Sequence, residues 1–323
     1  MAPFGALWSK RIDMTFRQIR IGTRGSKLAL TQAGHVRAAI TAALGGAGEA
    51  VLVPVTTSGD RIQNRVLTDI GGKALFTKEI EEGLLAGRFD CAVHSMKDMP
   101  AVDPPGLVIA AVPPREDPRD AFISLAHASL DAMPAGARLG TASLRRQAQA
   151  RHRRPEIAIV PLRGNVDTRL AKMDAGEADA IILAAAGLNR LGLSHLPRGL
   201  IDPVECPPAP AQGALAIQTR AEDADAPWLA ALKDPATTLA ITAERGALAF
   251  LEGSCRTAIG AYAVVESARL SLVVEALTPD GARRFRRQGE TDVGGAAALD
   301  AARSLGMRLG EAIAAEAGDA LEI

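Results

Sequence analysis

Residues 138–150 have the sequence RLGTASLRRQAQA, in which a short apolar segment, a tight turn and a helix follow one another. Thr141 or Ser143 is the expected N-cap of that helix, because its side-chain oxygen can accept hydrogen bonds from the free N–H groups of the first turn. Arg145 and Arg146 then fall in this turn, where the helix dipole disfavours cations by roughly 0.3–1 kcal/mol each. Two such cations in succession indicate an anion site, since guanidinium groups and helix N-terminal amides both bind carboxylates and phosphates.

Two other segments repeat this arrangement of strand, turn and arginine-bearing helix. They are RIGTRGSKLALTQA (20–33) and PLRGNVDTRLAKM (161–173). Between Arg138 and Arg169 the chain has eight arginines, no lysine and only two acidic residues. A solvated basic helix is the alternative for any one of these segments. Three of them together favour one anion site assembled from two related lobes.

The overall composition is that of an ordinary globular protein. The chain has 323 residues, 48% apolar and 23% charged, with 37 basic and 37 acidic residues. Its length predicts two or three domains. The three cysteines form no CxxC pair, which favours a reducing, cytoplasmic location, and the five histidines lack metal-ligand spacing. We therefore expect no metal site and, since no apolar run is long enough for a span, no membrane association. Met14 precedes the first predicted strand, so residues 1–13 are expected to be a disordered leader or a misassigned start.

The pattern of apolar segments predicts an α/β fold. Strand-like segments alternate with amphipathic helices through the first two thirds of the chain, which is typical of a mainly parallel sheet. In such sheets ligands bind beyond the carboxyl ends of the strands, where the arginine-bearing corners fall. Strands are predicted at 19–23, 51–57, 91–95, 107–112, 157–162, 180–185 and 213–219, and helices after Ser26 and at 77–86, 144–153 and 166–175.

Two proline-rich stretches, 112–120 and 202–213, suit crossings between the lobes. After Pro235 the pattern changes to a helix at 236–250, strands around 259–265 and 271–277, and a C-terminal helix, which is an α+β arrangement. The domains expected from these changes are residues 17–113 together with 213–232, residues 114–212, and residues 233–323.

Eight motifs, in order and at matching spacing from Ile19 onward, resemble the porphobilinogen deaminase family, whose members are also called hydroxymethylbilane synthases. The motifs are RIGTRGSKLALTQA, GGKALFTKE, DCAVHSMKDMP, REDPRDAF, LGTASLRRQAQ, LRGNVDTRL, ADAIILAAAGLNRLGL and LEGSCRTAIGAYA. Ala211 and Ser254 stand where glycine is usual in the family, and neither change removes a side chain that the chemistry needs. The resemblance implies two lobes like those of type II periplasmic binding proteins around a cleft, plus a smaller C-terminal α+β domain.

The resemblance also implies a function. Enzymes of this family are transferases that condense four porphobilinogen molecules head to tail, with release of ammonia, into hydroxymethylbilane for tetrapyrrole (haem) biosynthesis. The implied cofactor is dipyrromethane, held covalently by a cysteine of the third domain, here Cys255. Asp98 is the implied catalytic carboxylate, which would protonate the leaving amine, stabilise the resulting cation and remove the final α-proton. Cys91 and Cys206 keep a structural interpretation.

The growing pyrrole chain is a polyanion, because each pyrrole carries an acetate and a propionate, and this explains the surplus of arginine. Residues that the resemblance implies in binding cofactor or substrate are Arg24, Ser26, Lys97, Thr141, Ser143, Arg145, Arg146, Arg163, Arg169, Arg190 and Gln212. Asp60 and Lys73 are implied to lie in or beside an active-site loop, and the polar stretch 57–73 is a candidate lid or an ordinary surface loop. The family also implies a monomer.

Two other function classes compete with this interpretation. A non-catalytic bilobal anion-binding protein would use the two lobes, but would need neither a third domain nor the Asp98 and Cys255 motifs. A nucleic-acid-binding protein would use the arginine-rich block. That block, however, has no aromatic residue for base stacking, and the chain is neutral overall.

Overall fold

The computed structural model of the protein describes residues 17–61, 77–251 and 258–321. Its strands and helices, in chain order, are β1 (Arg17–Arg24), α1 (Lys27–Ala43), β2 (Gly48–Val55), α2 (Ser58–Arg61), α3 (Lys78–Leu85), β3 (Cys91–Ser95), β4 (Leu107–Ala111), β5 (Asp120–Ile123), β6 (Arg138–Gly140), α4 (Leu144–Arg153), β7 (Ala158–Val160), α5 (Val166–Asp174), β8 (Ala180–Ala184), α6 (Ala185–Arg190), β9 (Arg198–Leu200), β10 (Leu215–Arg220), α7 (Pro235–Leu251), β11 (Ala258–Glu266), β12 (Arg269–Leu277), β13 (Arg284–Asp292) and α8 (Ala298–Ala317).

Two five-stranded sheets share one topology. The first has the order β2-β1-β3-β10-β4 and the second the order β7-β6-β8-β5-β9. In each, three neighbouring strands are parallel, and the strand that arrives from a crossing runs antiparallel to both of its neighbours. The sheets are therefore less parallel than the alternation of strands and helices predicts, because β5 and β10 enter directly from the crossings without a preceding helix.

The helices of the lobes begin where the sequence places their caps. Ser26 caps α1 by accepting from the Ala29 N–H, and Ser143 and Asn165 cap α4 and α5. The inner face of α1 buries Ala33, Val36 and Ile40 against the first sheet. The strands and helices predicted for both lobes are present, with limits within three residues of those expected.

Three strands have no counterpart in the prediction. β5 and β9 are too short, at four and three residues, to show a periodic pattern. β13 is an edge strand with the sequence RFRRQGETD, whose exposed and charged residues hide its single buried position, Phe285.

The C-terminal part of the chain forms a separate layer of helices on a sheet. β11, β12 and β13 make an antiparallel meander, and α7 and α8 pack on it around a core that includes Ala247, Leu272 and Leu305. The two helices lie very close together, because a Cβ at Gly306 would overlap the carbonyl oxygen of Ala243. Within the described segments, no helix has the length and apolar character needed to cross a membrane.

Candidate active site

Asp98 and Lys97 lie in a 3-10 turn, Met96–Asp98, directly after the central strand β3. The turn is held by the buried side chain of Met96 and by a 3.0 Å hydrogen bond from the Met96 N–H to the Ala214 carbonyl oxygen. Both polar side chains are half-buried. A carboxylate and a cation are thus placed at the carboxyl end of a sheet strand, which is the ligand-binding edge of such sheets.

Arg145 and Arg146 are buried, 5% and 6% exposed, at the start of α4. Both contact the buried carboxylate of Asp120, with Arg145 Nη1 2.8 Å from Oδ2 and Arg146 Nη2 2.7 Å from Oδ1. Burial alone would raise the pKa of Asp120, but the two guanidinium groups outweigh it and hold that pKa well below its ordinary value. The Nε–H groups of both arginines are buried and have no hydrogen-bond partner among the described residues.

Gln212, which is 1% exposed, connects this pair to Lys97. Its Nε2 donates to Asp120 Oδ1 at 2.8 Å, and its Oε1 accepts from Lys97 Nζ at 3.3 Å. We refer to these five residues, Lys97, Asp120, Arg145, Arg146 and Gln212, as the cradle. It joins residues of both lobes through a residue of the second crossing.

Burial lowers the pKa of Lys97, and so do the charges of Arg146 and Arg145, while Asp98 and Asp120 oppose the change; the resulting pKa is about 8. Arg169 contributes another cation nearby. Burial and the charge of Arg146 lower the pKa of Arg169 to about 10, and Asp98 acts in the opposite direction. The cradle and its surroundings therefore hold four cations against two carboxylates.

The lobes also meet at the helix starts. Lys27, the first residue of α1, lies 3.4 Å from Asp167 in the first turn of α5. This contact brings the first and third arginine-bearing corners next to each other. Ser26 caps the first of these helices. Arg169 lies one turn into the other and donates through Nε to the Gly164 carbonyl oxygen at 2.7 Å.

The other predicted residues occupy the same edges of the two sheets. Thr141 is buried directly after β6, and its hydroxyl accepts from the Ser143 N–H at 3.2 Å. Arg24 ends β1, half-buried, and its charge acts on the buried His94. Arg163 is half-buried in the turn before α5.

Arg190, the last residue of α6, lies beside the second crossing. It donates from Nη2 to the Gly213 carbonyl oxygen at 2.8 Å and lines a cavity of about 320 Å³ beside Glu116 and Val36. Burial lowers the pKa of Arg190, and the charge of Glu116 opposes the decrease. Gly213 directly follows Gln212 of the cradle, so this hydrogen bond places Arg190 beside the segment that carries Gln212.

Three predicted residues have side chains outside the described part of the chain: Cys255, Lys73 and Asp60, whose backbone belongs to α2. Of the cysteines expected to be structural, Cys91 is fully buried, and burial raises its pKa. Cys206 is half-buried, and burial raises its pKa as well. Among the residues with described positions, no group of three or more His, Cys, Asp or Glu side chains is placed to hold a metal ion.

Sequence reasoning did not find Asp120 or the pair Arg115–Glu244. The carboxylate of Glu244, fully buried, accepts from Arg115 Nη1 and Nη2 at 2.7 and 3.0 Å and from two backbone N–H groups, those of Ala211 and Ala263. The signal for Asp120 was present in REDPRDAF, because buried adjacent arginines need a buried counter-charge. The sequence does not say which of the nearby acids supplies it.

Comparison with protein-family models matches almost the whole chain. Residues 19–227 match "Porphobilinogen deaminase, dipyromethane cofactor binding domain", and residues 238–315 match the C-terminal domain of the same family. The chain belongs to the porphobilinogen deaminase family. The family assignment made from the motifs is confirmed, and so are the transferase function and the dipyrromethane cofactor that it implied. The alternative of a non-catalytic anion-binding protein is not supported.

Curated porphobilinogen deaminases are similar to the chain over nearly their full length. The protein from Caulobacter vibrioides strain NA1000 / CB15N is 64% identical, over 94% of this chain and 97% of its own. Those from Phenylobacterium zucineum and Paracoccus denitrificans are 61% and 50% identical, over 94% and 89% of this chain and 98% and 93% of their own.

Solved structures similar to the chain include the methionine-binding protein MetQ, with a TM-score of 0.42 and 14% identity over 68% of this chain and 91% of that one. A TRAP periplasmic solute-binding protein from Desulfovibrio salexigens has a TM-score of 0.42 and 9% identity, over 67% of this chain and 71% of its own. The two-lobed α/β arrangement follows from the strand order of this chain's own two five-stranded sheets.

Proposed function

We propose that this deaminase carries out its condensation between the lobes at the cradle, with Asp98 as the catalytic acid and base. The observation that carries the proposal is the pair of buried Nε–H donors on Arg145 and Arg146, which have no partner within the described residues. A buried donor without a partner costs roughly 1–3 kcal/mol. A ligand carboxylate would satisfy both donors and would offset the surplus of cations around Asp98.

The residues present fit dipyrromethane, since each of its two pyrrole rings carries an acetate and a propionate. Arg145, Arg146 and Lys97 would bind these carboxylates, with Arg169 beside them. When bound, dipyrromethane supplies the nucleophilic α-carbon to which the first substrate is joined. We propose Cys255 as its point of attachment, on the motif LEGSCRTAIGAYA.

Asp98 has three successive tasks in this proposal. It donates a proton as the C–N bond of the aminomethyl group breaks and ammonia leaves. As a carboxylate it then stabilises the methylene-pyrrolenine cation derived from the substrate. After the new C–C bond has formed, it accepts the α-proton of the extended chain, which returns it to its protonated state. Lys97 and Arg169 lie near enough for their charges to interact with that of Asp98.

The remaining predicted residues enter the proposal with subordinate roles. Ser26, Thr141 and Ser143 supply hydroxyl groups at the helix starts, while Arg24, Arg163 and Arg190 supply further guanidinium groups. Asp60 and Lys73 belong to the proposed active-site loop. The proposed domains are residues 17–113 with 213–232, residues 114–212 and residues 233–323. We further propose a cytoplasmic monomer, which sedimentation of the purified protein at several concentrations would test.

Denaturing intact mass, after mixing the purified protein with limiting porphobilinogen, tests the proposal. We expect a base mass that carries two linked pyrrole units and a ladder of further pyrrole increments. Peptide mapping should place the adduct on Cys255. A single unmodified mass from folded protein, or an adduct on Cys91 or Cys206, would contradict the proposed attachment.

Asp98→Asn should abolish most turnover while leaving cofactor attachment largely intact. Loss of a general acid and base costs typically 10²–10⁴-fold in rate, and the amide keeps the shape of the side chain. Ammonia release measures the effect. The matched control is Asp103→Asn in the following loop, where Asp103 accepts from the Ile109 N–H; this variant should retain turnover. Near-normal ammonia release by Asp98→Asn would refute the assignment.

A further inference from the structure

Asp120 is the one carboxylate that the structure places inside the cradle. It is 4% exposed, at the first position of β5. Each of its oxygens contacts a different arginine, Oδ2 with Arg145 Nη1 at 2.8 Å and Oδ1 with Arg146 Nη2 at 2.7 Å. Gln212 Nε2 also donates to Oδ1 at 2.8 Å. No part of the proposed condensation chemistry uses this group.

We propose that Asp120 is a positioning residue that holds the Arg145 and Arg146 guanidinium groups in the orientation in which they bind the carboxylates of the cofactor and substrate. This inference rests on the proposed function of the cradle. It adds that ligand affinity depends on a carboxylate that the ligand itself never contacts.

The need for such a residue follows from the burial of two adjacent guanidinium groups. Side by side in a low-dielectric interior they repel each other, and without a counter-charge they would turn apart or draw in water. Asp120 binds one terminal nitrogen of each arginine. Arg146 Nη1 is further fixed on the Ile182 carbonyl oxygen at 2.9 Å, and Arg145 Nη1 on Gln149 Oε1 at 2.8 Å. These contacts set the directions of both guanidinium planes, and each Nε–H has no partner among the described residues.

One carboxylate among three cradle cations also keeps the site positive. Asp120 offsets a single charge of Arg145, Arg146 and Lys97, so the cradle still attracts an anion. Asp120 is fixed in position, because its strand is hydrogen-bonded to β8 on one side and β9 on the other. Its removal is therefore expected to weaken carboxylate binding rather than strengthen it.

A second consequence concerns Lys97. The groups that face it are Asp98, Gln212, Asp120, Arg145 and Arg146. Asp120 supports the charged form of the lysine, so its loss moves the pKa of Lys97 below about 8. Carboxylate binding that depends on the charge of Lys97 should then weaken with rising pH, and it should begin to weaken at a lower pH than in the unaltered protein. A purely structural role for Asp120 would not move this pH dependence.

The test compares Asp120→Asn with Asp117→Asn as a matched control. Asp117 lies on the same crossing and forms a carboxylate–guanidinium pair with Arg119 at 2.7 Å, outside the cradle. For each protein we would follow cofactor loading by intact mass, and KM and kcat of the loaded fraction between pH 6.5 and 9. Asp120→Asn should take up the cofactor more slowly, by about tenfold or more, and raise KM by about tenfold or more, with a smaller change in kcat. The alkaline limb of its KM–pH profile, where substrate binding weakens as pH rises, should move to lower pH. Asp117→Asn should leave all of these unchanged.

Unchanged or tighter substrate binding by folded Asp120→Asn would overturn the inference, and so would a loss of stability with KM and the alkaline limb unmoved. If Asp120→Asn does not fold, the Asp120→Glu variant is used in its place. It keeps the charge but moves it by one methylene, so KM should rise while the alkaline limb of the KM–pH profile stays at the same pH. A normal KM in that variant would equally overturn the inference. Failure of the proposed function would be seen in different experiments. The unaltered protein would then form no pyrrole ladder, or the Asp98→Asn variant would stay active.

Discussion

At the scale of single residues, the candidate site is a balance between burial and charge. Arg145 and Arg146 are almost fully buried at the start of α4, where both desolvation and the helix dipole oppose them. Asp120 compensates part of that cost, and the two buried Nε–H donors have no partner within the described part of the chain. The two arginines in the first turn of α4, which the sequence marks as unfavourable, therefore carry an energetic cost in the folded protein. A bound carboxylate would reduce that cost.

The lowered pKa of Lys97 gives a pH prediction at this scale. Because its folded-state pKa is about 8, the lysine loses its charge as pH rises through about 8, and binding a carboxylate above that pH requires uptake of a proton. Cofactor assembly on the apoprotein, followed by intact mass from pH 7 to 9.5, should therefore slow across this range. Lys97→Arg should remove the decline, because arginine stays charged.

The control for that experiment is Lys233→Arg, which changes an exposed lysine outside the site and should keep the decline. The same linkage has the opposite sign for stability. A lysine with a lowered pKa binds fewer protons folded than unfolded above pH 8, so it destabilises the fold most below that pH. An equal decline in assembly for Lys97→Arg would show that Lys97 does not cause it.

At the scale of elements, close helix packing distinguishes the C-terminal layer from the lobes. α7 and α8 approach so closely that side chains are excluded at Gly306 and Gly246, where a Cβ would meet backbone atoms of the opposite helix. Backbone atoms cannot rotate aside as a flexible side chain can. In α1, by contrast, a Cβ at Gly34 would meet nothing within 4 Å.

Gly306→Ala and Gly34→Ala should consequently change stability in opposite directions. The first forces the two helices apart, which costs roughly 1–3 kcal/mol in a packed interior. The second improves helix propensity and should stabilise by about 0.5–1 kcal/mol. Urea denaturation of both variants measures the difference in unfolding free energy. Equal effects of the two changes would mean that α7 and α8 can separate at little cost.

At the scale of the whole molecule, Arg115 and Glu244 connect three parts of the chain. Arg115 lies in the first crossing, donates from Nε to the Gln212 carbonyl oxygen of the second crossing at 2.9 Å, and pairs with Glu244 on α7. Through Gln212 this junction is continuous with the cradle. The C-terminal layer is therefore fixed to the point where both crossings pass between the lobes.

Glu244→Gln should destabilise the protein by about 3–5 kcal/mol, because it leaves the buried guanidinium of Arg115 without its counter-charge. Glu290→Gln is the control. It breaks a pair of similar length, 2.6 Å to Arg269, whose side chains are 51% and 69% exposed, and should cost less than about 1 kcal/mol. Urea denaturation separates the two effects, and similar losses for both would show that burial of the Arg115 pair adds nothing.

Much of the fold was predictable because it is encoded locally. The stripe of Ala33, Val36 and Ile40 and the caps at Ser26 and Asn165 are short-range patterns, and the helices form where they predict. The family motifs likewise identified Lys97, Asp98, Arg145 and Arg146, which the structure places in one region. β5 and β9 escaped prediction because they are short and β5 pairs with strands far along the chain. β13 pairs with the preceding strand, but its exposed and charged residues conceal its single buried position.

The sequence by itself determined which chemical groups are available: the surplus of arginine, the Asp98 turn and the family to which the chain belongs. Only the tertiary structure decided how these groups are paired. Asp120 meets Arg146 across 26 residues of sequence and Gln212 across 92, and Arg190 meets Gly213 across 23. The physical reason is that caps and amphipathic faces depend on neighbours along the chain. The partner of a buried charge depends on which segments the two crossings bring together.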